Sequence, residues 1–243
     1  MTYSHASVAL TYHEISAPVL HSYTVTPEKF EEHVRIALDT AARPVFTFDD
    51  GHVSALEGAR TLESFAQHGT FFITAGWVGN KPGYVSAREI LALASSSHRI
   101  GAHGWSHKFL THCTTEELKR ELDDAKHKLE DILGAPVTHM SAPGGRHNRR
   151  ILDAAACAGF TEFYTSEPTA IVRQFGNLRV AGRLNIDNAI PTDTYRELLR
   201  FDSAELRLRL RRYQIRSVIR TVIGDASYHR LWKLLTGFEG QDG

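Results

Sequence analysis

The stretch Val45-Phe46-Thr47-Phe48-Asp49-Asp50-Gly51-His52 decides how the rest of the chain is read. Four β-branched or aromatic residues run directly into two adjacent carboxylates and a glycine. The first half has strand composition, the second half turn composition. Neighbouring aspartates repel, so one of them protonates unless a cation neutralises the pair. A strand ending on such a pair and followed by a helical segment is one βα unit, with its polar groups at the strand's C-terminal end. Taken alone, Asp-Asp-Gly is also an ordinary solvated turn, and that reading stands until other segments are added.

Outward from this stretch the same unit repeats. Residues 8–12, 45–48, 70–74, 99–102, 138–142, 160–166 and 178–186 read as strands. Between them, residues 54–68 read as a helix stopped by Gly69, and residues 86–96 as a helix opened by a Ser86/Glu89 capping box. Thr114 and Glu117 form a second capping box on a helix that runs to Leu133 and ends at Gly134; Leu118, Leu122, Ala125 and Leu129 keep its apolar face. Residues 148–158 give another helix, closed by Gly159. Strands alternating with helices predict an α/β fold with a parallel sheet, and at this length its closure into a barrel over residues 1–200.

Residues 201–243 differ in character and predict a basic, amphipathic helical extension. Residues 203–236 carry eight Lys/Arg against two acids. Leu206, Leu210, Tyr213, Ile215, Val218, Ile219 and Val222 recur at helical spacing. Two readings follow: a stripe packed on the barrel with a solvated basic face, or a basic helix that docks on anionic membrane or a lipid-linked, phosphate-bearing glycan carrier.

Bulk composition narrows the function classes. With 28 Lys/Arg against 28 Asp/Glu the net charge is zero, which argues against a nucleic-acid partner. Cys113 and Cys157 form no CxxC pair, so neither a disulfide framework nor a cysteine zinc site is expected. Residues 1–10 lack a basic start followed by an apolar run, and no 18-residue apolar stretch occurs. The expectation is a cytoplasmic protein, peripheral to the membrane if the extension docks there.

Two further segments end strands with reactive side chains. His103-Gly104-Trp105-Ser106-His107 places two imidazoles four residues apart, a spacing from which both reach one metal ion. Pro143-Gly144-Gly145-Arg146 lets backbone approach a ligand closely and leaves N–H groups for an oxyanion. Singly, each has a plain reading, as unrelated histidines or as a common Pro-Gly turn.

In this order and spacing, the segments resemble the NodB-homology polysaccharide deacetylases over roughly residues 8–200. The matching pieces are Thr-Phe-Asp-Asp-Gly at 47–51, Gly-Thr-Phe-Phe-Ile at 69–73, Ile-Gly-Ala-His-Gly-Trp-Ser-His at 100–107 and Ala-Pro-Gly-Gly at 142–145. The resemblance implies a deformed (β/α) barrel that carries a metal-assisted deacetylase site for N-acylated amino sugars. Asp49 would be the base, and Asp50, His103 and His107 the ligands of one divalent ion, zinc in the first place. The Gly144 N–H would be the oxyanion donor. The family's arginine that holds the base is replaced by Ser141 here, so Arg146 and Arg183 are both candidates for that role. No histidine follows the proline motif in the family's acid position. Thr11-Tyr12-His13-Glu14 instead resembles the circularly permuted branch, which makes His13 the expected general acid; the alternative is a buried histidine bonded to backbone. His52 and His147 flank the motifs as candidate substrate contacts.

Other readings are kept beside this one. They are a deformylase or deacetylase of a lipid-linked sugar, a glycan-binding barrel without turnover, and a metal-dependent phosphoesterase, which lacks a second-metal ligand cluster.

Overall fold

The computed structural model describes residues 3–5, 8–40, 43–200 and 203–224. Its strands are β1 (Tyr3–His5), β2 (Ala9–Tyr12), β3 (Glu14–Ile15), β4 (Thr24–Val25), β5 (Val45–Phe48), β6 (Gly69–Ile73), β7 (Arg99–Ala102), β8 (His139–Ser141), β9 (Glu162–Tyr164), β10 (Ile171–Phe175), β11 (Leu178–Ala181) and β12 (Leu184–Asn185). The helices are α1 (Pro27–Leu38), α2 (Ala55–Ser64), α3 (Ala87–Ser95), α4 (Thr115–Leu133), α5 (Arg149–Cys157), α6 (Thr192–Leu198) and α7 (Ala204–Ile223). Ten strands form one mixed sheet in the order β1-β10-β11-β9-β8-β7-β6-β5-β2-β12, curled into a half-barrel. From β11 to β12 all neighbours are parallel, and β10 and β1 extend the sheet antiparallel.

Local chemistry accounts for the elements. Both capping boxes form, Ser86 with Glu89 and Thr114 with Glu117, each satisfying two helix-terminal N–H groups. Gly134 ends α4 in the left-handed conformation. Helix α1, which the strand pattern passed over, starts with Thr26 as N-cap and Pro27 in the first turn, and buries Phe30, Val34 and Ala37. The core beneath the helices is aromatic and tight: Phe48 stacks on Phe71 with centroids 4.5 Å apart.

Three expectations are corrected. Gly69 does not stop the helix before it. Helix α2 ends at Ser64, Ala66 takes the positive φ of 52°, and Gly69 opens β6. The glycine is there for close approach, since a Cβ would lie 3.0 Å from Leu62 Cδ1 and 3.2 Å from Phe48 Cε2. Second, residues 178–186 are two strands. β11 pairs with β9 and β12 pairs with β2, far apart in the sheet order. Only Gly182 and Arg183 join them. Three residue steps reach at most about 11 Å, so the sheet must curl until these edges approach. Third, α7 does not lay its whole apolar stripe on the barrel. Leu206 is buried, whereas Ile215 and Val218 are 61% and 63% exposed. The extension's residues 225–243 lie outside the described residues. No helix among the described residues is long and apolar enough to cross a membrane.

Candidate metal centre and its acid–base groups

Parallel pairing brings the motif segments to one end of the sheet. Asp49 and Asp50 follow β5, His103 follows β7, the Pro143–Gly145 turn follows β8, and His13 follows β2. Arg183 sits at the junction of β11 and β12. Residues 134 positions apart therefore meet, Arg183 with Asp49.

Asp50, His103 and His107 each present one ligand atom, all within 4.8 Å of one another. Asp50 Oδ1 lies 3.3 Å from His103 Nε2 and 3.0 Å from His107 Nε2. Asp50 and His107 both hold positive φ, 72° and 65°. Non-glycine residues adopt this region rarely, at a cost of about 1–3 kcal/mol, and hold it where the surroundings impose it. His103 Nδ1 lies 3.1 Å from the Ser141 carbonyl and beside the Ser141 hydroxyl. Donation from Nδ1 to that carbonyl leaves the Nε2 lone pair facing Asp50. Two imidazole nitrogens and one carboxylate oxygen converging in this way fit a divalent ion with coordination positions left over.

Asp49 is buried beside this trio, its Oδ2 4.0 Å from His103 Nε2. Arg183 grips it with two bonds of 2.7 Å, one to each carboxylate oxygen. The Ser141 hydroxyl donates to Asp49 Oδ1 at 3.2 Å. Arg183 is itself 1% exposed and also donates to Thr47 Oγ1 and the Thr165 carbonyl, both at 3.2 Å. A buried guanidinium is tolerated because these bonds and the paired carboxylate replace its water. Between the two arginine candidates, the geometry selects Arg183 as Asp49's partner. Arg146 instead lies over the Phe109 ring, 4.0 Å from its centroid.

The electrostatics follow from this packing. Burial would raise the Asp49 pKa, but Arg183 and then His103 outweigh it and hold the carboxyl below its ordinary value. For Asp50, burial is again opposed, by the His103 and His107 imidazoles against its carboxylate, and the net shift is strongly downward. Burial lowers His103, but Asp49 and Asp50 reverse the sign and its pKa is raised. His13 is lowered, by burial first, while Asp50 and Asp49 pull it upward. Its Nδ1 is buried and has no hydrogen-bond partner among the described residues, and its ring packs on Tyr23 with centroids 4.7 Å apart. The alternative of a histidine satisfied by backbone is not what the structure shows at that atom.

Gly144 has φ 62°, and a Cβ there would meet Phe109 Cε1 at 2.5 Å, so the turn requires glycine. It follows β8, whose Ser141 touches both His103 and Asp49. The flanking histidines are placed differently. His52 Nδ1 lies 2.8 Å from Ser54 Oγ at the start of α2, and its ring meets Tyr84 edge-on. His147 Nδ1 lies 3.3 Å from the Gly145 carbonyl. Neither belongs to the ligand cluster.

The sequence reading missed three contributors. Ser141 bridges His103 and Asp49 rather than marking a lost function. Glu121, 6% exposed, accepts from the Trp105 and Ser106 N–H groups at 2.8 and 2.9 Å and from the Ser106 hydroxyl, pinning the loop between the two ligand histidines. Its signal was visible: a glutamate on the same helical face as Leu118, Leu122 and Ala125. Trp77, packed on His107 at 5.2 Å, carries the Lys81 ammonium 3.4 Å from its ring centroid and forms a wall beside the site.

Comparison with known proteins agrees with this geometry. The family model described as polysaccharide deacetylase matches residues 40–163. YxkH of Bacillus subtilis, named as a candidate polysaccharide deacetylase, is 25% identical over 69% of this chain and 67% of its own length. The peptidoglycan-N-acetylglucosamine deacetylase PgdA of Listeria monocytogenes is 30% identical over 47% of this chain, but over only 24% of its own length. The crystal structure of a polysaccharide deacetylase from Bacillus cereus superposes with a TM-score of 0.70 at 21% identity, covering 79% of this chain and 68% of that one. That likeness establishes the fold.

Proposed function

The chain belongs to the polysaccharide deacetylase family, and on that premise we propose that it is a metal-dependent hydrolase that removes an N-acyl group, in the first place N-acetyl, from an amino sugar of a glycan or glycan precursor. The observation that carries the reading is the convergence of Asp50, His103 and His107 within 4.8 Å beside the buried Asp49–Arg183 pair.

Asp50, His103 and His107 would hold the ion, zinc by the chemistry of the donor set. When bound, it supplies Lewis acidity that polarises the acyl carbonyl and lets water attack near neutral pH. Asp49 takes the proton of the attacking water, and Arg183 keeps it ionised and aimed. The Gly144 N–H donates to the oxygen on which negative charge develops. His13 hands a proton to the departing amine. Its buried Nδ1, without a hydrogen-bond partner among the described residues, supports that role. His13 and Arg183 both lie outside the residues that the family model matches, so these two roles rest on geometry.

The test is acetate release from oligomers of N-acetylglucosamine, with metal content measured in parallel. Asp49→Asn is expected to abolish release and keep the ion, and His107→Ala to lose the ion. Release by Asp49→Asn at the parent rate would overturn the mechanism. A non-catalytic glycan-binding barrel drew its support from the missing arginine at position 141; Arg183 supplies that charge to Asp49.

A lipid-linked substrate is the finer reading, favoured by exposed Ile215, Val218 and Ile219 on α7 among Arg211, Arg212 and Arg216. Sedimentation with vesicles of anionic and neutral phospholipid tests it. Binding restricted to anionic vesicles, and lost in the Ile215→Asp/Val218→Asp double variant, is the expected result. Equal binding by the variant would remove this reading.

A further inference from the structure

The half-barrel also has an opening at the end where the strands begin. Arg99 opens β7, His139 opens β8, Glu162 opens β9, and Arg179 is the second residue of β11. Strand pairing sets His139 beside Glu162 and Glu162 beside Arg179. These four side chains rim a cavity of about 370 Å³. The apolar part of its wall is Ala9, Val45, Val172 and Ala181, with Tyr164 beside them. Small residues on β2 and β11 leave the space that larger side chains would fill.

The cavity lies apart from the catalytic centre. Arg183 stands between them, its guanidinium carbon 5.2 Å from the Phe72 ring centroid and 5.8 Å from that of Tyr164. Tyr164 packs on Phe72 in turn, with centroids 5.2 Å apart.

Charge at the rim is one-sided. Arg179 is answered by Glu162 at 2.7 Å. Among the described residues no carboxylate pairs with Arg99, so the rim carries one uncompensated positive charge. Burial first, then Arg99 and Arg179, push the His139 pKa down to about 4, so near neutral pH its ring adds hydrogen-bonding capacity without charge. The volume falls in the usual range for small-molecule sites, roughly 300–1,000 Å³.

We propose that this cavity is a second binding site, taking a small organic carboxylate with an apolar body. The carboxylate pairs with Arg99 at the rim, and the body lies against Val45, Val172 and Tyr164. An arginine at a half-open cavity mouth with no acid of its own supplies the recognition, and burial against the apolar side chains favours a ligand with an apolar body over a bare, hydrated anion.

The experiment is calorimetric titration of the whole protein with hexanoate and benzoate, with inorganic phosphate as the comparison anion. Saturable binding of a carboxylate, and none of phosphate, is expected. Arg99 is exposed, so Arg99→Gln should fold normally and weaken binding about 10–100-fold, the worth of one charged hydrogen bond. Val45→Phe fills the cavity from β5 and should also abolish binding. His107→Ala should bind as the parent does. The proposal fails if neither carboxylate saturates at millimolar concentration, if Arg99→Gln binds unchanged, or if phosphate binds as well as hexanoate. It fails equally if His107→Ala loses the binding, which would place the anion at the catalytic centre.

Discussion

At the end of the half-barrel where the strands finish, Arg183 holds Asp49 through two bonds of 2.7 Å, with its side chain wholly buried. At the end where they begin, Arg179 holds Glu162 through one bond of 2.7 Å, and its side chain is 49% exposed. The partners are chemically alike, and the difference is water. At the first end solvent is excluded, the pair is forked, and removing either partner strands a charge. At the second, solvent screens the pair and replaces a missing partner at little cost. Arginine and carboxylate at a barrel mouth do not by themselves make a catalytic group; desolvation and a fixed orientation do.

The comparison can be broken most directly at Arg183. Arg183→Met leaves Asp49 buried without its counter-charge and should lower the deacetylation rate constant by about 10²–10³-fold. The same change should reduce unfolding free energy by about 3–5 kcal/mol. Initial rates and denaturant melts measure both. If the methionine variant is too unstable to assay, Arg183→Lys restores the charge without the fork and should fold while remaining slow. Rates near the parent's in the lysine variant would mean that charge, not orientation, is what Asp49 needs.

Glu121 sharpens the point, being a buried acid at the catalytic end that touches neither the ligand side chains nor Asp49 and acts through the loop between the two histidines. Glu121→Gln loses a charged acceptor to the N–H groups of Trp105 and Ser106. Metal affinity should fall about 10–100-fold, as for other groups that orient ligands. Competition with a chelator reads this out, and unchanged affinity would show that the loop holds itself.

At the strand-beginning end the expected effect is a pH slope. His139 is held at about 4 by burial and its two arginine neighbours, against an ordinary 6.5. The unfolded chain therefore binds more protons between those values, so stability rises with pH across the window and is lost as pH falls from about 6.5 towards 4. His33, buried under Tyr195 and also held at about 4, contributes in the same direction. Melting temperatures across that range should show a smaller acid loss for His139→Gln than for the parent. Parallel curves would mean that His139 is protonated in the folded state. The smallest effect is reserved for Arg179→Gln, a change in unfolding free energy of at most about 1 kcal/mol. A loss comparable to that of Arg183→Met would erase the distinction between the two ends.

Much of the site was legible because its members sit in short contiguous motifs. Asp49-Asp50 and His103…His107 each end a strand, and a parallel sheet brings all strand ends of one sense to one face. His13 was readable for the same reason, one residue beyond β2. The choice between Arg146 and Arg183 was not readable. Both are near glycines and near strand ends in sequence, and only the curl of the sheet carries Arg183 to a residue 134 positions away. Residues 178–186 read as one strand because an apolar pattern records burial, not which strand the backbone pairs with. Gly69 was misread because glycine marks a helix end and a close packing contact alike. Two readings of the α7 stripe stayed open because helical spacing predicts a face without predicting what covers it.

The amino-acid sequence by itself determined the alternation of strands and helices, the helix starts at Ser86 and Thr114, and the set of residues able to ligate an ion. These depend on neighbours within a few positions, through hydrogen bonds and side-chain periodicity that any folded context preserves. Only the tertiary structure decided that β11 and β12 part company at Gly182 and Arg183, that this junction delivers a buried guanidinium to Asp49, and that small residues on β2 and β11 leave a cavity at the other end. Those outcomes depend on sheet curl and on which distant side chains share excluded water, and neither is encoded in any local stretch of the chain.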